Sequence, residues 1–247
     1  MNKNVDTVNA NKNANKLKSF NGTPTKPAVG VPKLSGSEEP FTSFVYGTDR
    51  WGKTNNNCYA FAIDYFRGNM NKKLQPGELS KTLKRDDDLT DPKILKERTL
   101  ADLAIKKNGG YSAGPCEKCK KGYYKVMAFV GKDQDYHWYR QVSDMMIPSD
   151  GKKTVANIAK EIGVDKSQID SPSSNRPKEG EPVLIKNAGL FAHKRGFAEL
   201  TVLDASGKFI TDPRKANRDY GDISYNTFAG AFCVNANFGK GGKFSCK

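Results

Sequence analysis

The chain has 247 residues, of which 36% are hydrophobic and 10% aromatic, enough apolar side chains to build a folded core. Its formal net charge of +14 suits an anionic partner such as nucleic acid, an acidic protein surface or an acidic wall polymer. The charge is spread along the chain without a nucleic-acid-binding motif, so we expect no specific nucleic-acid recognition. With no apolar run of membrane-spanning length and no hydrophobic signal core, the sequence predicts a protein made in the cytosol without a signal peptide.

Residues 1–40 have a composition unlike the rest of the chain. They are rich in Asn, Lys, Thr, Pro and Ser, and their apolar residues are isolated from one another. Such a segment cannot bury enough apolar surface to offset its ordering entropy, so alone it should be disordered. We expect an extended basic arm that binds other protein chains in a large assembly.

A polar Asn run leads into a helix predicted from about residue 58 to 66, with Cys58 on its first turn. Backbone N–H groups and the helix dipole favour a thiolate at that position, and the thiolate is the reactive form. The chain has two histidines, so the candidate bases for this thiol are His137 and His193. The alternative is that Cys58 is a small buried hydrophobic residue at a helix start.

Turn signals and hydrophobic periodicity predict the elements that follow. They are a turn at 75–78, a helix at 93–107 stopped by 108–110, strands at 123–130 and 135–141 joined by a hairpin, strands at 189–194 and 229–234, and a pairing of 200–203 with 209–210.

Cys116 and Cys119 form a Cys-x-x-Cys pair. A structural zinc site needs four ligands, and the chain has no second close cysteine pair. We therefore favour a structural thiol pair, or a disulfide from either cysteine to Cys233, and we expect no metal and no other cofactor. The sequence leaves the pairing of these three residues and Cys246 open.

Residues 144–186 differ in texture from their flanks. They contain a strand, a helix in which Val155, Ile158, Ala159 and Ile162 form an apolar stripe, a short second helix and a closing strand after Gly-Glu-Pro. This βααβ segment resembles a LysM domain. The resemblance implies binding of an N-acetylglucosamine-containing polymer, such as peptidoglycan or chitin, between loops 148–152 and 170–175. The residues that it implicates are Ser149, Asp150, Gly151, Pro172 and Ser173. The alternative is a helical decoration that only packs on its host.

The flanking segments 41–143 and 187–247 carry motifs around Cys58, His137 and His193. These motifs resemble papain-like proteins related to NlpC-type peptidases, which occur in bacteria and large DNA viruses. The resemblance implies that Cys58 is the nucleophile, His137 the general base and His193 the group that orients it. Each histidine could instead be structural.

Two further sets of residues complete the predicted site. Asp204 and Asp212 are alternative orienting groups, and the N–H of Cys58 with the Asn56 amide could stabilise an oxyanion.

Together these features predict an α+β fold with a papain-like helix and antiparallel sheet, an inserted LysM-like module and an extended N-terminal arm. The expected function is that of a cell-wall-directed component of a virion or other large assembly, with cysteine peptidase or amidase activity. The alternative is a non-catalytic minor capsid protein anchored by its basic arm.

Overall fold

The structure is a computed structural model that describes residues 32–41, 56–66, 72–171, 175–196, 198 and 200–239. Over these ranges the fold is α+β, with few helices and two antiparallel sheets. In the part of the chain that the structure describes, no helix is long and apolar enough to cross a membrane.

Three α-helices and nine strands make up the described fold. The helices are α1 (Cys58–Ala62), α2 (Pro92–Ala104) and α3 (Val155–Ile162), and a 3-10 turn covers Lys166–Gln168. The strands are β1 (Gly110–Ala113), β2 (Tyr123–Gly131), β3 (Asp135–Gln141), β4 (Met145–Asp150), β5 (Ile169–Asp170), β6 (Glu179–Ile185), β7 (Phe191–Lys194), β8 (Leu200–Thr201) and β9 (Thr227–Asn235).

The larger sheet has the strand order β1-β9-β2-β3-β7-β8, and all its pairings are antiparallel. Its central strand β2 is buried along almost its whole length, because both faces of the sheet are covered. One face packs with α1 and α2 in the main core, and the other packs with Ile210, Tyr220 and Tyr225 from the segment before β9. The predicted hairpin of β2 and β3 is confirmed, with the pairing Phe129↔His137 at its centre.

Helix α1 begins where the sequence predicts and ends early. The side chain of Asn57 accepts a hydrogen bond from the N–H of Ala60, which caps the first turn. The helix stops at Ala62, before the predicted residue 66, because Asp64 adopts a left-handed backbone conformation with φ of 54°. All five helical residues are buried, so packing rather than length stabilises this element.

The segment 144–186 forms the smaller sheet, in the order β4-β6-β5, with α3 between β4 and β5. Thr154 caps the start of α3, and Gly163 ends it in a left-handed conformation with φ of 80°, as its position predicts. The predicted second helix is wrong in kind: a single 3-10 turn stands there, capped by Asp165. The short strand β5 follows it directly, which leaves no room for an α-helix.

Residues 32–41, mostly assigned to the arm from the sequence, lie against the larger sheet. The side-chain amide of Gln141 donates to the carbonyl of Pro32 at 2.9 Å, and Phe41 pairs with Met145 at the start of the module. The Arg140 guanidinium, buried under α1, donates to Glu39 at 3.0 Å. This strap, residues 32–41, therefore belongs to the folded domain. The rest of the predicted arm, residues 1–31, lies outside the described residues.

Two other expectations need correction. Helix α2 ends at Ala104, three residues before the predicted end. Strand β1, which pairs with β9, was not predicted from the sequence. The predicted pairing of 200–203 with 209–210 is reduced to the bridge Leu203↔Phe209 and one hydrogen bond, from the N–H of Ile210 to the carbonyl of Val202.

Candidate active site

The two histidines lie side by side on adjacent strands. His137 belongs to β3 and His193 to β7, and the register Tyr139↔His193 makes the two histidines diagonal neighbours on one face. Nε2 of His137 lies 2.8 Å from Nδ1 of His193, and both rings are buried. The structure therefore brings together the predicted base and its predicted orienting group.

Hydrogen bonding fixes which ring nitrogens carry protons. Nε2 of His193 lies 2.9 Å from the carbonyl oxygen of Leu203, and a carbonyl oxygen can only accept. Nε2 of a neutral His193 therefore carries the proton, and its Nδ1 carries the lone pair. His137 must then donate from Nε2, which leaves the lone pair of His137 on Nδ1, the nitrogen nearer the backbone.

Both imidazoles are neutral at neutral pH. Burial lowers the pKa of His193 from 6.5 to about 4, although the Leu203 carbonyl partly opposes the shift. Burial, with smaller contributions from His193 and Arg195, lowers the pKa of His137 well below its ordinary value. A neutral His137 with its lone pair on Nδ1 is in the form that a general base requires.

Cys58 reaches the same strand from α1. Its sulfur lies 4.0 Å from the carbonyl oxygen of Tyr136 and also faces the backbone N–H of Trp138. These two residues flank His137, so the sulfur lies at the edge of β3 level with the histidine. Strand β7, which pairs with β3 only from Tyr139 to Gln141, leaves this stretch of the edge open to α1. The sulfur thus lies beside the backbone at His137, whereas the His137 ring packs with Tyr139 and Tyr225 on the face of the sheet opposite α1.

The expectation that the helix start would favour a thiolate is wrong. Burial, with a smaller contribution from the carboxylate of Asp135, raises the pKa of Cys58 to about 12. The backbone N–H groups of Trp138 and Tyr59 act in the opposite direction but do not outweigh the loss of water. The resting thiol is therefore protonated. It can attack only if a base removes its proton during the reaction.

Buried hydrogen bonds connect α1 to the segment that follows it and to α2. The amide of Asn57 donates to the carbonyl of Leu74 at 2.8 Å, and the hydroxyl of Tyr59 donates to Asp102 at 2.9 Å. The hydroxyl of Tyr136 donates to Gln75 at 2.6 Å on the same side of β3. Asn56, the predicted oxyanion donor, is buried just before the helix. The position of the thiol is thus fixed by packing and polar contacts.

The two carboxylates predicted as alternative orienting groups, those of Asp204 and Asp212, have other partners. Asp212 is buried and accepts two hydrogen bonds from the guanidinium of Arg214, at 3.0 and 2.9 Å. Asp204 accepts from backbone N–H groups of its own hairpin, including those of Ser206 and Lys208. The group that orients His193 is instead the Leu203 carbonyl, which no side-chain pattern could reveal.

Sequence reasoning also missed two side chains at the site. Asp135 stands two residues before His137 on the same strand, and its charge acts on Cys58. Tyr225 packs against the His137 ring with centroids 5.0 Å apart, and its hydroxyl donates to Asp135 at 3.4 Å. The position of Asp135, two residues before His137 on the same strand, was a signal in the sequence. Tyr225 comes from a loop far away in the sequence and had no such signal.

Of the predicted glycan-binding residues, Ser149 and Asp150 end strand β4 and Gly151 follows them. Ser149 is buried, and its hydroxyl donates to the carbonyl of Pro177 at 3.0 Å, so it shapes the loop rather than facing solvent. The Asp150 carboxylate accepts from the N–H groups of Lys152 and Lys153 at 2.9 and 3.0 Å. Pro172 and Ser173 lie outside the described residues.

One hydrogen bond connects the start of α3 to the end of the second predicted glycan-binding loop. The N–H of Val155 donates to the carbonyl of Asn175 at 2.8 Å. Gly151, in the first loop, has a φ of 71°, and a Cβ there would come within 2.9 Å of the backbone nitrogen of Glu179, the first residue of β6. Glycine is therefore required where the first loop passes the start of β6.

The remaining described cysteines form one disulfide, and Cys246 lies outside the described residues. Cys119 is bonded to Cys233 with their Cα atoms 5.6 Å apart, which is one of the predicted alternatives. Cys116 is a free, exposed thiol. Within the described ranges, no three His, Cys, Asp or Glu residues are grouped so that they could hold a metal ion.

Comparisons of the chain with protein-family models, with curated proteins and with solved structures each find no match, so the papain-like and LysM resemblances remain predictions made from the sequence.

Proposed function

We propose that the chain is a cysteine peptidase or amidase with a papain-like host domain, in which Cys58, His137 and His193 carry the reaction. The observation that supports this most is the 2.8 Å contact between His137 and His193, with the Cys58 sulfur beside the backbone of Tyr136 and Trp138 on the same strand as His137. The contact fixes His137 in the neutral tautomer that can accept a proton at Nδ1. A nucleophile, a base and an orienting group are the parts that acyl transfer needs.

The reaction follows from the protonation states. His137 takes the proton of Cys58 while the sulfur attacks the carbonyl carbon of an amide. The C–N bond then breaks, the amine leaves with the proton from His137, and a thioester to Cys58 remains. Water, deprotonated by His137, cleaves the thioester, releases the acid and restores the thiol. His193 keeps the His137 ring oriented throughout.

The substrate that we propose is a wall polymer containing N-acetylglucosamine. The strand and helix order of residues 144–186, and the hydrogen bond between Val155 of α3 and Asn175 of the second loop, support binding by the LysM-like module. The net charge of +14 favours adsorption to an acidic wall. The setting that we propose, from the resemblance to proteins of large DNA viruses, is a virion or other large assembly.

One observation favours a second candidate, a non-catalytic structural component of such an assembly. Cys58 is only 5% exposed, and burial raises its pKa to about 12. A papain-like fold that had lost turnover would keep a histidine pair and a buried thiol as core residues.

A thioester trap separates the two candidates. Peptidoglycan fragments are incubated with the full chain, the reaction is stopped with acid, and the mass of the peptide containing Cys58 is measured. The first candidate predicts an acyl adduct on Cys58 and release of new amino groups, both lost in Cys58→Ala and both retained in the exposed-thiol control Cys116→Ser. If no adduct on Cys58 is found after incubation with peptidoglycan, with chitin or with their peptide-bearing fragments, the structural candidate is favoured.

Glycan binding is tested separately with two matched carboxylates of the module. Asp150 and Asp165 each accept hydrogen bonds from nearby backbone N–H groups, but only Asp150 lies in a predicted glycan-binding loop. Sedimentation with insoluble peptidoglycan or chitin should fall severalfold for Asp150→Ala and stay at the wild-type level for Asp165→Ala. Equal retention of both variants would contradict binding at this loop.

A further inference from the structure

Strand β9 and the segment between β1 and β2 carry three cysteines, none of which belongs to the proposed catalytic site. Cys116 is exposed and free, and three residues later Cys119 is bonded to Cys233 of strand β9. The sulfur atoms of Cys119 and Cys233 are buried, so a thiol from solvent has poor access to their bond. Cys116, three residues before Cys119, is the described free thiol nearest to that bond along the chain.

Two cations flank this group. The guanidinium of Arg214 is paired with Asp212 and also contacts the Cys116 sulfur, and both contacts raise the pKa of Arg214. The attacking species in disulfide exchange is a thiolate, and the Arg214 guanidinium can pair with its negative charge.

Lys125 is the second cation, and it lies opposite Cys233. The two are directly paired across β2 and β9, so their side chains leave the same face of the sheet. Its ammonium donates to the carbonyl of Gly114 at 2.9 Å, in the turn that leads to Cys116. Burial lowers the pKa of Lys125 to about 8, although Glu117 and Cys116 partly oppose the shift. Lys125 can therefore exchange a proton with a thiol near neutral pH.

We propose that Cys116 and the Cys119–Cys233 disulfide form a thiol–disulfide exchange site that passes the bond from a buried pair to an exposed one. The Cys116 thiolate attacks the sulfur of Cys119, and a Cys116–Cys119 bond forms. The Cys119–Cys233 bond breaks, and its electron pair leaves on Cys233, which takes a proton from Lys125. The proton lost by Cys116 restores the Lys125 ammonium. Cys116 is oxidised and Cys233 is reduced, so the step needs no outside oxidant.

The co-reactant class for the next step is a low-molecular-mass thiol such as glutathione. The new bond includes the exposed Cys116, so a thiol from solvent can attack it. Two glutathione molecules would then reduce the Cys116–Cys119 bond and leave as glutathione disulfide. The site would thus make a buried disulfide sensitive to the surrounding thiol pool, and it would release β9 from the turn that carries Cys119.

The test follows reduction of the disulfide by excess glutathione in the full chain, with Cys246→Ser as background so that this thiol cannot take part. Samples are blocked with N-ethylmaleimide at intervals, digested, and analysed by mass spectrometry for every cysteine pair. We expect an early Cys116–Cys119 peptide, and loss of the Cys119–Cys233 peptide about tenfold slower in Cys116→Ser, because direct attack must then reach a buried bond.

The variant Cys58→Ser is the matched control, since it removes the other free thiol and should leave the rate unchanged. Equal reduction rates with and without Cys116 would overturn the proposal. A Cys116–Cys233 peptide as the first product would overturn it too, because it would place the attack on the other sulfur.

Discussion

Cys58 and Cys116 are both free thiols, and their surroundings are opposite. Cys58 is buried beside the strand that carries a neutral histidine pair, with the Asp135 carboxylate as its main charged neighbour. Cys116 is exposed and contacts the Arg214 cation. The helix start, which made Cys58 the candidate in the sequence, contributes less than the loss of water around it. Cys58 therefore depends on a base, and Cys116 on the disulfide next to it.

The largest expected effect is on the chemistry of Cys58. In His137→Gln the thiol keeps its place but loses its proton acceptor, so hydrolysis should fall by about 10³-fold, a typical contribution of a general base. Alkylation of Cys58 by iodoacetamide near neutral pH should slow as well. Both are measured on the same sample, by amine release and by peptide mass.

Cys116 is the internal control for that experiment. It lies at another edge of the sheet, so its alkylation rate should be the same in the wild type and in His137→Gln. If Cys58 reacted at the same rate in the His137 variant as in the wild type, the two residues would not be coupled. The difference between Cys58 and Cys116 would then not be one of mechanism.

The next effect concerns stability and pH. Unfolded His193 takes up a proton near pH 6.5, whereas the folded residue does so only near its pKa of about 4. The unfolded state therefore binds more protons as pH falls through this window, and the folded state loses stability. The loss attributable to His193 alone is about 3 kcal/mol between pH 7 and pH 4, with the shift of His137 in the same direction.

Urea unfolding at several pH values measures this loss. His193→Gln should be less stable than the wild type at neutral pH and should show a shallower fall towards pH 4. Cys116→Ser, at the exposed thiol, should follow the wild-type curve. A wild-type free energy of unfolding that stays constant from pH 7 to pH 4 would mean that the histidines are not buried as neutral rings.

The smallest effect is that of Asp135 on the neighbouring thiol. Asp135→Asn removes a negative charge that raises the pKa of Cys58, so the alkylation profile of Cys58 should move to lower pH by about one unit or less. Asp133→Asn is the matched control, because Asp133 lies in the exposed hairpin and Asn tolerates its left-handed conformation. If the pH profiles of Cys58 alkylation were identical in the two variants, the charge of Asp135 would have no effect on the thiol.

Periodic and capped elements of the fold were predictable. The β2–β3 hairpin and helix α3 have strong alternating or helical patterns, and Gly163 marks the end of α3. The end of α1 could not be predicted, because it depends on the backbone conformation of Asp64 and on burial against the sheet. Strand β1 was missed for a related reason: its four residues, which begin with the second glycine of a pair, become a strand only because β9 is there to pair with them.

For the site, the sequence named the residues but not their state. The strand positions of His137 and His193 predicted their meeting, since neighbouring strands bring such residues together. The raised pKa of Cys58 was hidden, because it depends on how completely the surrounding chain excludes water. Leu203 could not be found at all, since it acts through a carbonyl that every residue possesses.

The strap, residues 32–41, determines where the chain that precedes it is attached. Pro32 is held by Gln141, four residues beyond His137 on the same strand, which is about 13 Å at the usual rise of an extended chain. Anything that the preceding 31 residues bind is therefore tethered at the end of β3 where the segment 144–186 begins, and not at the stretch of the strand beside Cys58. Anchoring through these residues would attach the domain to a large assembly at that end of the strand.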